Sequence, residues 1–233
     1  MIKLTRNLPT AELEAKVAER VNRFNQLLDE GNEPTNALLS AYRNPEVKEH
    51  LIAEANGKCI YCESKITHVY FGDIEHLKPK AIFPRERLDL SNLALACAKC
   101  NNAKSDYWDQ HLPLLNPYED DPDDHLIALG YLIARRPGKD RARITIEQLQ
   151  LNRQALLERR KERIELLLPL ADQFACAPEG PLKQLLKQEL LRQAENNAEY
   201  AMVVRAFLKA ACNLELDDNL IGFEIPVAEI AVK

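Results

Sequence analysis

The chain has 233 residues and a mass of 26.5 kDa, room for one sizeable core or two modest ones. Apolar residues make up 46% and charged residues 29%, the balance of an ordinary globular protein, and no run approaches the roughly 20 apolar residues of a membrane span. A formal net charge of −5 argues against a protein that coats nucleic acid over its whole surface, although a focused basic patch would still grip a few phosphates.

From Thr10 the apolar residues Leu13, Val17, Val21, Phe24 and Leu28 recur every three or four positions. This predicts a helix capped by Thr10 and stopped by Gly31. Pro45 at a first-turn position opens a second helix, through Val47, Leu51 and Ile52 to a stop at Asn56-Gly57. Residues 65–75, rich in β-branched and aromatic side chains, predict a strand or hairpin. His76 begins an irregular stretch in which Pro79 forbids a continuing ladder.

Residues 91–97 fit a strand or a helix equally well by period, and Cys100 to Trp108 reads as a short helix. The acidic stretch Glu119 to Asp124 reads as a solvated loop and a domain boundary. Leu126 to Arg135, broken at Gly130-Tyr131, predicts a hairpin. Thr145 to Leu168 and Leu182 to Leu214 carry helical periodicity, parted by Pro178-Glu179-Gly180-Pro181. The chain thus divides into an N-terminal helical arm at 1–44, a core at 45–115, and a hairpin with a helical region at 116–233 that is suited to binding a partner. The fold class is α+β, predominantly helical.

Four of the six cysteines form two pairs, Cys59-x2-Cys62 and Cys97-x2-Cys100. Each x2 turn presents both sulfurs to one ion, so the quartet suits a closed, structural tetrahedral Zn2+. The start of the chain lacks the apolar core of a signal peptide, which with the paired thiols predicts a cytoplasmic protein. Cys176 and Cys212 lie singly in helical sequence and are expected to be buried.

Between the pairs stand Asp73, Glu75 and His76, with Asn92 before the second pair and Asn101 directly after it. A neutral imidazole takes a proton from water, while a divalent ion on a carboxylate and an amide oxygen stabilises charge developing on a phosphate. His76 is therefore the candidate base, and Glu75 and Asn101 are the candidate ligands of a catalytic Mg2+ or Mn2+, with Asp73 as the alternative carboxylate. In a regular strand Asp73 and Glu75 share a face while His76 points oppositely, so the Glu75–His76 pair calls for a turn of the backbone. Asn92 would hold the base in orientation from behind. Lys78 and Lys80 make the loop after His76 basic, a candidate nucleic-acid contact within the segment Lys58–Lys104, where eight Lys and Arg face five Asp and Glu.

The run CxxC, Glu75-His76-Leu77-Lys78-Pro79, Asn92-Leu93 and CxxCNxxK (Cys97 to Lys104) resembles the HNH, or ββα-metal, endonuclease family over about residues 45–108. The resemblance implies a zinc-clamped ββα-metal core acting on DNA. In it His76 is the general base, Glu75 and Asn101 hold the catalytic ion, Asn92 orients the base, and Lys104 contacts phosphate. The family's last His is Asn101 here, which favours a hard, oxygen-liganded ion. Glu75 to Lys80, the stretch Leu115 to His125 and Leu151-Asn152-Arg153 are similar to PtuB, the HNH effector subunit of Septu and retron anti-phage systems. That likeness implies a defence role beside a PtuA-like ATPase subunit of the AAA/ABC type. The rival readings are a stand-alone restriction-type HNH nuclease and a non-catalytic zinc module that binds nucleic acid or protein. His50, His68 and His111 read as surface or packing residues, and Asn116 with His125 as part of a solvated loop.

Overall fold

The computed structural model describes residues 1–66 and 72–214. Helix α1 (Ala11–Asp29) begins where the Thr10 hydroxyl accepts from the Leu13 amide, and it buries Leu13 and Phe24. A one-turn helix α2 (Asn36–Leu39) follows, capped by Thr35. In α3 (Pro45–Glu54) the proline sits at the N-terminus, where its missing N–H is harmless, and the Asn44 side chain accepts from Glu46.

Two short strands form the centre. β1 (Asp73–His76) pairs antiparallel with β2 (Leu93–Ala96), in a register that sets Glu75 opposite Ala94 and His76 opposite Leu93. Gly72 delivers the chain into β1 at φ 68°, a conformation that favours glycine, and a Cβ there would also push on the side-chain ends of Ile66 and Leu95 at 2.7 and 2.8 Å. Helix α4 (Ala98–Lys104) follows β2 directly, with Cys97 as its N-cap. Beyond it lie the hairpin β3 (Leu126–Leu129) and β4 (Leu132–Arg135), turned at Gly130, then α5 (Asp140–Gln148), α6 (Gln154–Cys176), α7 (Pro181–Arg192) and α8 (Ala201–Cys212).

Several boundaries differ from expectation. Of the strand expected over 65–75, residues 67–71, with His68, lie outside the described residues; the regular part runs only from Asp73 to His76. His76 remains in the ladder, and the Leu77 amide still donates to the Asn92 carbonyl, before Pro79 ends pairing. Helix α4 starts before Cys100 and stops at Lys104, because Ser105 turns to φ 49° and frees Trp108 to pack edge-on against Phe83. Each long C-terminal helical stretch is cut in two, at 149–153 by Gln150 with φ 49° and before α8 by Tyr200 with φ 55°. The two single cysteines correct the expectation of burial: each closes the last turn of its helix, where Cys176 is exposed and Cys212 is half-buried against the smaller core of α6, α7 and α8.

One apolar cluster runs through all three parts of the chain, from Leu13, Phe24 and Tyr42 through Leu51, Leu93 and Leu95 to Leu126, Leu149, Leu151 and Met202. A smaller one, with Leu167, Leu190, Val204 and Leu208, lies between α6, α7 and α8. Among the described residues no helix is long and apolar enough to cross a membrane.

Candidate active site

The four cysteine sulfurs come together, all within 4.8 Å of one another. The first pair sits on a tight turn closed by the Glu63 amide on the Cys59 carbonyl, and the Ile60 amide fastens that turn to β2 at Leu95. The second pair opens α4, where the Cys97 sulfur accepts from the Cys100 amide. Hydrogen bonding from the other three cysteines holds the Cys62 thiol well below its ordinary range, while burial pushes the Cys59 thiol up. Four soft donors converging in this way are positioned for zinc.

Two residues of the C-terminal region reach the same sulfurs. The Arg153 guanidinium stands 3.7 Å from the Cys100 sulfur and 3.9 Å from that of Cys97. The Tyr200 hydroxyl meets Ser64 Oγ at 3.0 Å, and that oxygen lies 3.4 Å from the Cys62 sulfur.

Beside this centre a cavity of about 630 Å³ wraps the outer edge of β1, lined by Tyr42, Asp73, Glu75, His76, Lys80 and Asn101 among others. Among the described residues the sheet has two strands, so no described strand pairs with the other edge of β1. Side chains from both of its faces thereby reach one space, without the backbone turn that regular alternation called for at His76.

His76 is buried, its Nε2 is 3.0 Å from the Arg87 carbonyl, and its ring packs edge-on against Tyr42 at 4.7 Å. A carbonyl only accepts, so Nε2 carries the hydrogen and Nδ1 keeps its lone pair. Burial pushes the imidazole down to about 4, against the pull of the Arg87 carbonyl, which leaves it neutral at physiological pH.

Glu75 is 2% exposed, and its Oε1 is 2.6 Å from the Lys104 ammonium, yet that oxygen has no partner in hydrogen-bonding geometry. Burial raises its carboxyl to about 7 despite Lys104. A buried carboxylate with such an oxygen fits a hard cation, and its remaining lone pairs allow it to serve Lys104 as well. Asn101 donates from Nδ2 to Asp73 at 3.1 Å, which leaves its Oδ1 as the hard donor.

Asn92 does not touch the imidazole. Its Oδ1 accepts from the Lys78 amide at 2.8 Å, and its Nδ2 donates to the carbonyls of Lys78 and Glu86 at 3.0 and 3.1 Å, clasping the loop that follows His76. Of the candidate phosphate contacts, Lys78 pairs with Glu86 and Lys80 reaches the Tyr42 hydroxyl. Lys104 is enclosed, donating to the His76 carbonyl at 2.7 Å, so its ammonium faces Glu75 instead of the outer surface. Of the residues set aside, His111 is exposed, and Asn116 caps a local turn by accepting from Tyr118. Tyr42 and Arg153 contact site residues without having been singled out for them, because they join through the fold and carry no local spacing signal.

Residues 59–107 match the family model of the HNH endonuclease. This segment is an HNH endonuclease domain. It takes in the cysteine quartet, β1, β2 and α4, and with them every candidate ligand and the candidate base. Over 209 residues the chain is 27% identical to the Septu protein PtuB of Bacillus thuringiensis, covering 82% of this chain and 80% of that one. A Septu protein PtuB of Bacillus mycoides is 30% identical over 151 residues, 52% of this chain and 51% of the relative. The HNH domain makes the chain a nuclease, a hydrolase of phosphodiester bonds.

Proposed function

We propose that the chain is a divalent-metal-dependent DNA endonuclease, the nuclease effector of a Septu-type anti-phage system that acts in the cytoplasm with a PtuA-like ATPase subunit. The observation that carries the nuclease mechanism is a neutral His76, fixed through Nε2, beside the oxygen donors Glu75 and Asn101 in one cavity. The defence role and the ATPase partner rest on the likeness to the two PtuB proteins.

In this reading His76 Nδ1 takes the proton of the water that attacks phosphorus, and the leaving P–O bond breaks as the new one forms. A Mg2+ or Mn2+ ion, when bound, offsets charge on the phosphate and the leaving oxygen. Glu75 and Asn101 hold it, with Asp73 in reach through its bond to Asn101. Lys104 holds Glu75 and the His76 backbone in place, Lys80 lines the cavity where it would meet a phosphate, and Lys78, paired with Glu86, lies outside that lining and would contact the strand further along. Zn2+ on Cys59, Cys62, Cys97 and Cys100 is structural, closed to substrate by its four thiolates.

Supercoiled plasmid incubated with Mg2+ or Mn2+, with and without chelator, tests the reading. Nicking is expected only with the ion, and His76→Ala should lower it by about 10²–10⁴ while zinc content stays as in the parent; loss of the buried ring lowers melting but leaves the chain folded. Equal cleavage by His76→Ala would remove the mechanism. Co-purification with the ATPase subunit tests the partner separately.

A further inference from the structure

The cavity of the HNH domain does not end at the domain. A second depression of about 870 Å³ lies between α1 and residues 35–44, and its lining includes Arg20, Arg23 and Arg43 against a single acidic residue, Glu19. Arg43 lines both spaces, so the two adjoin at its side chain, the first reaching Glu75 and His76 and the second α1.

The three guanidiniums differ from most exposed arginines of this surface, Arg136, held by the Asp123 carbonyl, being another without a carboxylate. The exposed side chains of Arg85, Arg135, Arg143, Arg159 and Arg192 each hold a carboxylate partner. Arg20, Arg23 and Arg43 have none among the described residues, although α1 and α3 carry acidic residues nearby. Glu12 and Glu46, for example, are both taken by Lys16. Arg43 donates from Nε to the Tyr42 hydroxyl with its guanidinium 5.4 Å from the Tyr42 ring centroid, and it lines both spaces without a carboxylate partner. Arg20 and Arg23 are three residues apart on α1, neighbours on one flank of the helix. In a chain of net charge −5, a row of unpaired planar forks that starts at the site of phosphodiester chemistry is a concentrated exception.

We infer that Arg20, Arg23 and Arg43 form a track for the sugar-phosphate backbone of the substrate nucleic acid, carrying the strand from the scissile phosphate across α1. The inference rests on the nuclease reading and extends the substrate surface beyond residues 59–107, into the N-terminal helical arm. The contacts are to phosphate, so they position the strand and carry no sequence information.

The test uses the full chain and the double variant Arg20→Gln/Arg23→Gln, both surface changes. DNA affinity is measured over a range of salt concentrations in a His76→Ala background, which keeps the probe intact. Cleavage of a long DNA and of the small diester bis(p-nitrophenyl) phosphate is measured with His76 present. If the track exists, the double variant has the parent's melting temperature, and its slope of log affinity against log salt is shallower by about two, near 0.9 per lost phosphate contact. KM for long DNA then rises while hydrolysis of the small diester, which cannot reach α1, is unchanged. An unchanged salt slope and affinity overturns the track, as does an equal loss on the small diester. Binding needs no cleavage, so the salt slope decides the track even for an inactive chain. Failure of the nuclease reading would show separately, as absent hydrolysis of both substrates by the parent.

Discussion

Asn92 reaches no reacting atom, yet its amide makes all three of its hydrogen bonds to the loop that carries Lys78 and Glu86. Two of them run from Nδ2 to carbonyls, so a carboxylate in its place would face two acceptors with no donor. Asn92→Asp is therefore expected to lose about 1–3 kcal/mol of stability, as Asn92→Ala does, although it is nearly isosteric. Denaturant melts should show this, together with a lower kcat at unchanged KM. An Asn92→Asp variant with parental melting and kcat would mean that the loop is held by something else. Tyr42 divides its work differently, with the ring against His76 and the hydroxyl on Lys80 and Arg43. Tyr42→Phe keeps the ring and should lose only about 0.5–1.5 kcal/mol. Tyr42→Ala should lose about 3–5 kcal/mol and also slow turnover, since it unpacks the imidazole. Comparable kcat losses in both variants would show that the hydroxyl, not the ring, orients the base.

At the scale of elements, the cysteine quartet is where helices from distant parts of the chain meet. Arg153, between α5 and α6, places its guanidinium on the sulfurs of Cys97 and Cys100, and Tyr200, at the head of α8, reaches Cys62 through Ser64. A zinc on four thiolates carries excess negative charge, which a guanidinium fork offsets at two sulfurs at once and an ammonium at one. Arg153→Lys should therefore release zinc to a chelator several-fold faster, read with a metallochromic dye. Identical release would remove Arg153 from the metal centre.

The quartet and the Glu75–His76 step were legible in the sequence because ligand and proton chemistry fixes residue type at short spacing, and α1 and α3 because their caps are local. The breaks at 149–153 and before α8 were not. Apolar periodicity continues across them, and what stops the helix is tertiary. Leu151 is drawn into the core, and the Asn152 amide clasps the Ile133 backbone at 2.9 and 2.7 Å. Leu151-Asn152-Arg153 stood out as a motif, but its partners lie 19 to 56 residues away and no spacing rule names them. The edge position of β1 among the described strands was illegible for the same reason: it depends on how many strands join the sheet, and the alternation of Glu75 and His76 does not tell.

For the whole molecule, the HNH domain is not separable from what surrounds it. Leu93 and Leu95 of β2 share a core with Phe24 on one side and with Leu126, Leu149 and Met202 on the other. Polar ties cross the same borders: Arg6 to the Leu93 carbonyl, Gln148 to the Ala103 carbonyl, and Lys58 to the Ala198 carbonyl. A segment cut at 45–115 would expose the apolar face of β2 and leave these groups unpaired, so it should not fold with native melting behaviour. The intact chain is expected to unfold in one transition through α8, with tryptophan fluorescence at Trp108 and far-UV circular dichroism coincident. Zinc would bind the folded quartet far better than the unfolded chain, so chelation should move that whole transition to lower denaturant instead of detaching one part. Two resolved transitions, with only the fluorescence phase sensitive to chelator, would mean that the zinc centre stabilises the HNH domain alone and that Arg153 and Tyr200 carry no coupling to the C-terminal helices.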